Sequence, residues 1–258
     1  MRAHVRRGRA ERSQVRNLST PLNSKTSIII WYTSNMFSIF KQSSWLFMAQ
    51  AASRIISFFY MIFLANTLQV ENFGLYVVAL SYFSILSVIS EFGINQYFIR
   101  EVAVNSKRLS TLLASVITLR LIITAAVFIL FATAVTILDP SNLRTSIILI
   151  AALATLPQGI AVTLDSIFVA LRKLPLSALG LLLLSIFTSL VGFSLVYLSF
   201  GLIGATIALL FGQILYVLIL VLIFLKLKIT IKFLVSLMVL REIMGGALPY
   251  GLLGILGI

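Results

Sequence analysis

The sequence predicts an all-α protein, a polytopic bundle of transmembrane helices with six complete spans and the beginning of a seventh. Hydrophobic residues make up 60% of its 258 residues and charged residues only 10%, whereas a soluble domain carries about 25% charged residues. A soluble fold could not cover its surface with so few charges, but a bilayer does not require it to. Short loops that alternate in basic charge separate the apolar segments, as expected of a chain that crosses a membrane repeatedly.

The spans follow from the length of the apolar segments. A helix needs about 20 apolar residues to cross a hydrocarbon core of about 30 Å. We predict spans at 45–64, 73–94, 112–138, 146–171, 174–198 and 202–225. A seventh apolar segment starts at Ile243 and reaches Ile258, and its 16 residues extend about 24 Å, which is short of a full crossing.

This pattern divides the chain into three regions. Residues 1–35 form a basic tail with seven arginine and lysine residues, 36–241 form a six-helix lobe, and 242–258 begin a seventh helix. The tail lacks the apolar run and the small-residue cleavage site of a signal peptide. It is either a cytoplasmic arm that contacts anionic lipid, or a segment that precedes a true translation start at Met36.

The distribution of arginine and lysine predicts the orientation of the chain. The even-numbered loops, including the one after the sixth span, hold nine of these residues, and the odd-numbered loops hold one, Arg144. Cytoplasmic loops carry the excess of basic residues in multi-pass membrane proteins. We therefore expect the N-terminus and the even-numbered loops on the cytoplasmic side.

Several functional classes are excluded by composition. The net charge of +13 comes from the tail and short loops rather than from one polar face, so we expect no nucleic-acid partner. There is no cysteine, and the single histidine is His4 in the tail, which excludes thiolate and histidine metal sites and a Ser/His/Asp triad in the apolar body. The seven acidic residues are scattered singly, unlike the clustered carboxylates of an enzyme that holds a metal-bound pyrophosphate. We expect no enzyme, metal site or cofactor.

Four ionisable residues fall inside the predicted spans: Arg54, Glu91, Arg120 and Asp165. A charge at the bilayer centre costs about 2.5 kcal/mol or more, and such residues normally face a bundle interior or a water-filled cavity. One interpretation is structural, with the ion pairs Arg54–Asp165 and Arg120–Glu91 joining helices, or with Arg120 extending towards the cytoplasm. The other is functional: the two arginines, which lie deeper than the acids, bind an anionic substrate, because a guanidinium pairs bidentately with phosphate oxygens.

Two predicted helices contain residues that interrupt helices. The fourth carries Pro157 and Gly159, and the seventh carries Pro249 and Gly251. Broken helices often bend around or line the substrate site of a transporter. The alternative is ordinary packing, since glycine and proline are commoner in membrane helices than in soluble ones.

Short patches along the chain resemble a known family. They are Ala65-Asn66-Thr67-Leu68, Glu71-Asn72-Phe73-Gly74-Leu75-Tyr76, Glu91-Phe92-Gly93-Ile94, Ile99-Arg100-Glu101-Val102-Ala103, Asp165 to Leu171, and Ala247-Leu248-Pro249-Tyr250-Gly251. From about Met36 onward, their order and spacing resemble the N-terminal lobe of the polysaccharide/O-antigen flippases of the MOP (multidrug/oligosaccharidyl-lipid/polysaccharide) superfamily. Asn66 and Gln69 depart from the commonest forms of the first patch.

The resemblance implies one lobe of a two-lobe transporter in the bacterial inner membrane. Such a protein moves an undecaprenyl-pyrophosphate-linked oligosaccharide, an O-antigen or capsular or exopolysaccharide repeat unit, from the cytoplasmic to the periplasmic leaflet through a cationic cavity. Its expected partners are the lipid bilayer, the lipid-linked oligosaccharide, a polysaccharide polymerase and a chain-length regulator. Ion coupling in some members implies a role for Asp165 or Glu91. Members have about twice as many helices, so we expect this chain to be a lobe of a longer protein.

Two other functions stay open. A multidrug or other lipid exporter of the same superfamily would share the fold, but it would favour acidic or aromatic cavity residues for cationic drugs, whereas the deepest charges here are arginines. A non-catalytic membrane subunit is the second alternative.

Overall fold

The computed structural model describes four ranges of the chain: 24–105, 108–138, 142–226 and 235–256. Within them, side chains are described from Ser43 to Leu253. The first 23 residues of the predicted tail lie outside the described residues, and the first helix begins at Ser24.

The chain separates into two compact units, Met1–Ser44 and Trp45–Ile258. Within the described residues it forms nine α-helices and one π-helical turn, and no strand. They are α1 (Ser24–Thr67), α2 (Val70–Glu91), α3 (Ile94–Val104), α4 (Leu109–Leu138), α5 (Asn142–Leu153), α6 (Thr155–Ala170), α7 (Leu174–Leu195), the π-helical turn (Val196–Phe200), α8 (Gly201–Lys226) and α9 (Leu237–Leu256). The all-α prediction is confirmed.

Five helical stretches of the described chain are long and apolar enough to cross a membrane. They are Ser43–Thr67, Val70–Glu91, Leu109–Leu138, Asn142–Ala170 and Leu174–Lys226. The fifth has 53 residues, and a straight helix of that length would extend about 80 Å, far beyond a hydrocarbon core of about 30 Å. It must therefore fold back on itself.

The fold-back lies at the π-helical turn between α7 and α8. Ser199 has φ 68° and Gly201 has φ 53°, so the backbone leaves the right-handed helical region there. A Cβ on Gly204 would lie 3.0 Å from the Leu195 Cβ, and one on Gly212 would lie 3.0 Å from the Thr188 Cβ. From Gly204 to Gly212 along α8, the contacted residue of α7 changes from Leu195 back to Thr188. The two helices are therefore antiparallel. Each is long enough for one crossing, in agreement with the predicted fifth and sixth spans.

The predicted fourth span is divided in two. The helix breaks at Ala154, between α5 and α6, three residues before Pro157. A proline has no N–H to donate to the carbonyl four residues before it, which here is that of Leu153, the last residue of α5. The break therefore lies at the position that Pro157 is expected to affect, and Pro157 itself lies in the first turn of α6, where a proline is tolerated.

The predicted loop after the second span is a helix, α3. The second span ends at Glu91, and Phe92 (φ 34°) and Gly93 (φ 73°) form a left-handed turn into α3. Ile94, Tyr97, Phe98 and Val102 are buried, and their spacing of three and four residues is that of one helix face. This short amphipathic pattern was present in the sequence, but the basic residues nearby directed the prediction towards a loop.

The seventh helix also differs from its prediction. α9 begins at Leu237, six residues before the expected start at Ile243, and stays one helix through Pro249. The expected interruption at Pro249 is thus absent from the described part of α9. α9 packs mainly against α3, so it is held by the lobe.

Two cores hold the helices together. In the first, Phe98, Phe168 and Leu220 are fully buried where α3, α4, α6, α8 and α9 meet. In the second, Leu64 and Ile147 are fully buried where α1, α2, α5 and α8 meet. Because α8 contributes to both, it is the central helix, and α1 lies at the edge of the bundle with one face free.

Candidate functional site

Arg54 lies near the middle of the membrane-crossing part of α1, which runs from Ser43 to Thr67. Its side chain is exposed, and it makes no hydrogen bond or ion pair with any residue that the structure describes. At 11 residues from Ser43, it is about 17 Å along the helix. An arginine at this depth needs a polar partner or water, and none comes from the described part of the lobe.

Arg54 belongs to a polar stripe on α1. Gln50, Arg54 and Ser57 are all exposed, and their spacing of four and three residues places them on one face of the helix. We call these three residues the α1 polar face. Tyr60 and Leu64 lie three and seven residues after Ser57 and are buried in the second core. The α1 polar face is therefore exposed along the flank of the surface that packs on the lobe.

Arg120 lies inside the lobe, on α4. Only 4% of its surface is exposed. Its Nη1 donates a long hydrogen bond of 3.4 Å to Asn95 Oδ1, and its Nε has no partner. A Cβ on Gly159 would lie 3.4 Å from both Cγ and Nε of Arg120. Gly159 therefore lies against the Arg120 side chain at a distance that a Cβ could also occupy.

Glu91 is the last residue of α2 and is partly exposed. It lines a groove of about 230 Å³ between the α2–α3 turn and α9, together with Gln96, Tyr250 and Gly251. Its charge acts on Arg120 at a distance, but the two do not form an ion pair. The predicted pair Arg120–Glu91 is therefore absent.

Asp165 lies where α6, α7 and α8 meet. Its Oδ2 accepts a hydrogen bond of 2.8 Å from the Ser177 hydroxyl. The Tyr216 hydroxyl faces the same carboxylate closely enough to interact with it. Arg54 is not its partner, so the second predicted ion pair is also absent.

The two arginines therefore differ in burial. Sequence reasoning placed both in one cavity, but Arg54 faces outward and Arg120 inward. The predicted helix-break glycines are packing positions. Gly159 lies against Arg120, and a Cβ on Gly251 would lie 3.0 Å from the Phe92 carbonyl oxygen.

No pattern in the sequence indicated a polar contact between α3 and α9. Arg108 lies just before α4, and its Nη1 donates to Glu101 Oε2 at 2.7 Å while its Nη2 donates to Glu242 Oε1 at 2.7 Å. The Tyr97 hydroxyl donates to Glu242 Oε1 at 3.3 Å. We call Tyr97, Glu101, Arg108 and Glu242 the α3–α9 clasp. Charges 134 residues apart in sequence can be paired only once the fold is known.

The clasp affects the ionisation of two of its members. The hydrogen bond to Glu242 is the main reason that the pKa of Arg108 is raised. Burial is the main reason that the pKa of Tyr97 is raised to about 12, with the negative charge of Glu242 next in importance. Arg108 is therefore charged and Tyr97 neutral at physiological pH, which is the state in which both donate to Glu242.

Comparisons with known proteins agree with this architecture. The family model described as polysaccharide biosynthesis protein matches residues 39–257. No curated protein matches the chain significantly. A solved structure, a MOP superfamily transporter from Pyrococcus furiosus whose title reports reversed polarity of its binding pocket, is similar with a TM-score of 0.62 at 17% identity. The match covers 83% of this chain and 52% of that one, so the chain spans about half the length of the transporter it resembles.

Proposed function

Because the chain belongs to the polysaccharide biosynthesis protein family, we propose that it is one lobe of a transporter that flips a lipid-linked oligosaccharide across the bacterial inner membrane. The cargo is an undecaprenyl-pyrophosphate-linked repeat unit of O-antigen, capsule or exopolysaccharide, and it moves from the cytoplasmic to the periplasmic leaflet. Membership of the family and the fold of a MOP superfamily lobe support a membrane transporter. The cargo and the direction are the proposed part.

The exposed Arg54 is the observation that carries the proposal. An uncompensated arginine at the helix centre costs about 2.5–3.5 kcal/mol in insertion experiments, so contact with lipid tails alone would be unfavourable. This free-energy cost is avoided if the α1 polar face borders the substrate path instead of lipid tails. A guanidinium there binds a pyrophosphate through two parallel N–H···O bonds, which an apolar wall could not provide.

In the orientation predicted from the basic loops, Arg54 lies on a path from the cytoplasm. With the basic loops inside, the Ser43 end of α1 is cytoplasmic and Arg54 lies halfway across. A pyrophosphate that enters from the cytoplasmic leaflet would reach the α1 polar face before it reaches the far side. The lipid tail can stay in the bilayer while the head group passes, which suits an open-sided path.

The other ionisable residues take different roles in this proposal. Arg120 is not a substrate ligand in this proposal, because its burial leaves it without access to a large ligand. Asp165, a carboxylate beside the Ser177 and Tyr216 hydroxyls, and Glu91, at the edge of a groove, are the candidates for ion coupling. A polysaccharide polymerase and a chain-length regulator are the expected protein partners, since they act on the flipped product.

Complementation tests the proposal. The gene's complete reading frame would be expressed in a strain that lacks its own O-antigen flippase, and surface polysaccharide would be examined by immunoblot. We expect the polysaccharide ladder to return with the wild type and to be lost with Arg54→Glu at equal membrane levels. A wild type that restores no ladder but lowers accumulation of a cationic dye would instead establish drug export.

A further inference from the structure

We propose that the α3–α9 clasp is a reversible latch that holds α9 against the lobe in one state of the transporter and releases it in another. This rests on the proposed function, because a latch is useful only to a protein whose helices move during transport. Two features of the contact support reversibility: how its charges are shared and how exposed they are.

No charge of the clasp is left both buried and unpaired when the clasp opens. Arg108 binds one carboxylate on α3, Glu101, and one on α9, Glu242. If α9 moves away, Arg108 keeps Glu101 as its partner. Glu242, whose side chain is already 42% exposed, becomes hydrated. Neither state leaves a buried, unpaired charge, which is the arrangement that would make opening costly.

The strength of the clasp also suits a latch. The side chains of Arg108 and Glu101 are 36% and 26% exposed, so water screens their attraction. An exposed ion pair changes an equilibrium by a factor of only about two to five. The clasp can therefore bias α9 towards the lobe without fixing it there. A second exposed bond, from Arg100 Nη1 to the Tyr250 hydroxyl at 2.8 Å, acts in the same way.

Beneath the clasp, glycine and backbone lie beside buried apolar residues. Gly246 lies directly against the Tyr97 ring, and Gly93 lies against the backbone of α9 at Ala247 and Gly251. Ile243 of α9 is fully buried in the first core, so opening exposes apolar surface and the clasp acts together with this apolar contact. α3 meets α9 at the left-handed turn formed by Phe92 and Gly93.

Release of α9 would change the neighbouring groove. Glu91 and Gln96 form one wall of that groove and Tyr250 and Gly251 form the other. Because the two walls belong to the two sides of the clasp, opening widens the groove and exposes Glu91 to water. The latch thereby connects movement of α9 to the hydration of Glu91, which lies at the end of a membrane span.

Disulfide trapping tests the latch without any transport assay. The chain has no cysteine, so a Tyr97→Cys, Gly246→Cys double variant reports on the α3–α9 contact while it keeps the two ion pairs of Arg108. The variant in native membranes would be oxidised, and the rate of disulfide formation would be followed by loss of maleimide labelling. Glu242→Gln and Glu101→Gln would then be added separately, since each removes one carboxylate from Arg108 but only the first frees α9.

We expect Glu242→Gln to slow disulfide formation by about two- to fivefold, the factor for an exposed ion pair, and Glu101→Gln to leave the rate unchanged or higher. A control pair, Thr188→Cys with Gly212→Cys in the α7–α8 hairpin, should be insensitive to both. Equal rates in the two glutamine variants would overturn the proposal. So would a wild-type background in which the 97–246 pair reacts as completely and immediately as the control pair.

A second readout joins the latch to transport. In proteoliposomes, the 97–246 disulfide should block flipping until a reductant is added, while the 188–212 disulfide should not. Flipping that continues with the 97–246 disulfide fully formed would show that α9 need not leave the lobe. If no cargo is flipped by any variant, the proposed function fails, but the trapping rates still decide whether the clasp opens.

Discussion

At the scale of single residues, the sequence located the unusual charges but could not give their surroundings. Arg54, Glu91, Arg120 and Asp165 are conspicuous because they interrupt apolar spans. Which way each side chain faces depends on helix packing, and nearly uniform apolar helices carry little periodicity that would indicate a buried face. The exposed Arg54 and the buried Arg120 were therefore indistinguishable in the sequence.

Arg120 provides a test of how the lobe tolerates a buried charge. Its guanidinium has an unpaired Nε and only one long hydrogen bond. Replacement of a buried ion by an apolar side chain of similar volume is often neutral or stabilising, by roughly 1–4 kcal/mol. We expect Arg120→Met to leave unchanged or raise the melting temperature of the detergent-solubilised protein. A fall of several degrees would mean that Arg120 has a strong partner, and Arg54→Met serves as the exposed control.

Asp165 distinguishes an ion-coupling role from a structural one. Asp165→Asn keeps an oxygen that accepts the Ser177 hydrogen bond but removes the charge. If Asp165 couples transport to an ion, the variant should fold normally and flip cargo at a rate that no longer responds to an imposed proton or sodium gradient. Ser177→Ala, which removes only the hydrogen bond, should keep the gradient response. A gradient response that persists in Asp165→Asn would remove Asp165 from the coupling mechanism.

At the scale of helices, length and composition predicted the spans well, and local chemistry explains the exceptions. The spans at 174–198 and 202–225 agree with α7 and α8 within a few residues, because a glycine turn separates two uniformly apolar runs. The break at Ala154 lies where Pro157 removes a backbone bond. The helix α3 was missed because a short amphipathic helix is obscured by the charges around it.

Two adjacent glycines in α9 test its docking on α3. A Cβ on Gly246 would overlap the Tyr97 ring, whereas a Cβ on Gly245 would meet nothing within 4 Å. Alanine is favoured over glycine in a helix by roughly 1 kcal/mol, so Gly245→Ala should raise the melting temperature slightly. Gly246→Ala should lower it or increase proteolysis of α9. Equal effects of the two substitutions would contradict the packing of α9 against α3.

At the scale of the whole molecule, the chain is a helical lobe with one polar helix face that the lobe itself does not cover. The two cores bury the apolar faces of the helices, while Gln50, Arg54 and Ser57 stay exposed. The solved transporter that shares this fold is about twice as long as the matched region. The fold class and the family could be predicted from sequence patches, but the exposure of the α1 polar face needed the packed structure.

The most direct test of the central claim is a flipping assay with the gene's complete reading frame in proteoliposomes. Vesicles would contain an undecaprenyl-pyrophosphate-linked oligosaccharide, and the fraction accessible to an external glycosidase would be followed over time. We predict flipping by the wild type, weaker flipping by Arg54→Lys, which keeps the charge but loses the bidentate fork, and none by Arg54→Glu. Equal flipping by all three proteins would contradict the role of Arg54, and an absence of flipping by a folded wild type would contradict the proposed cargo.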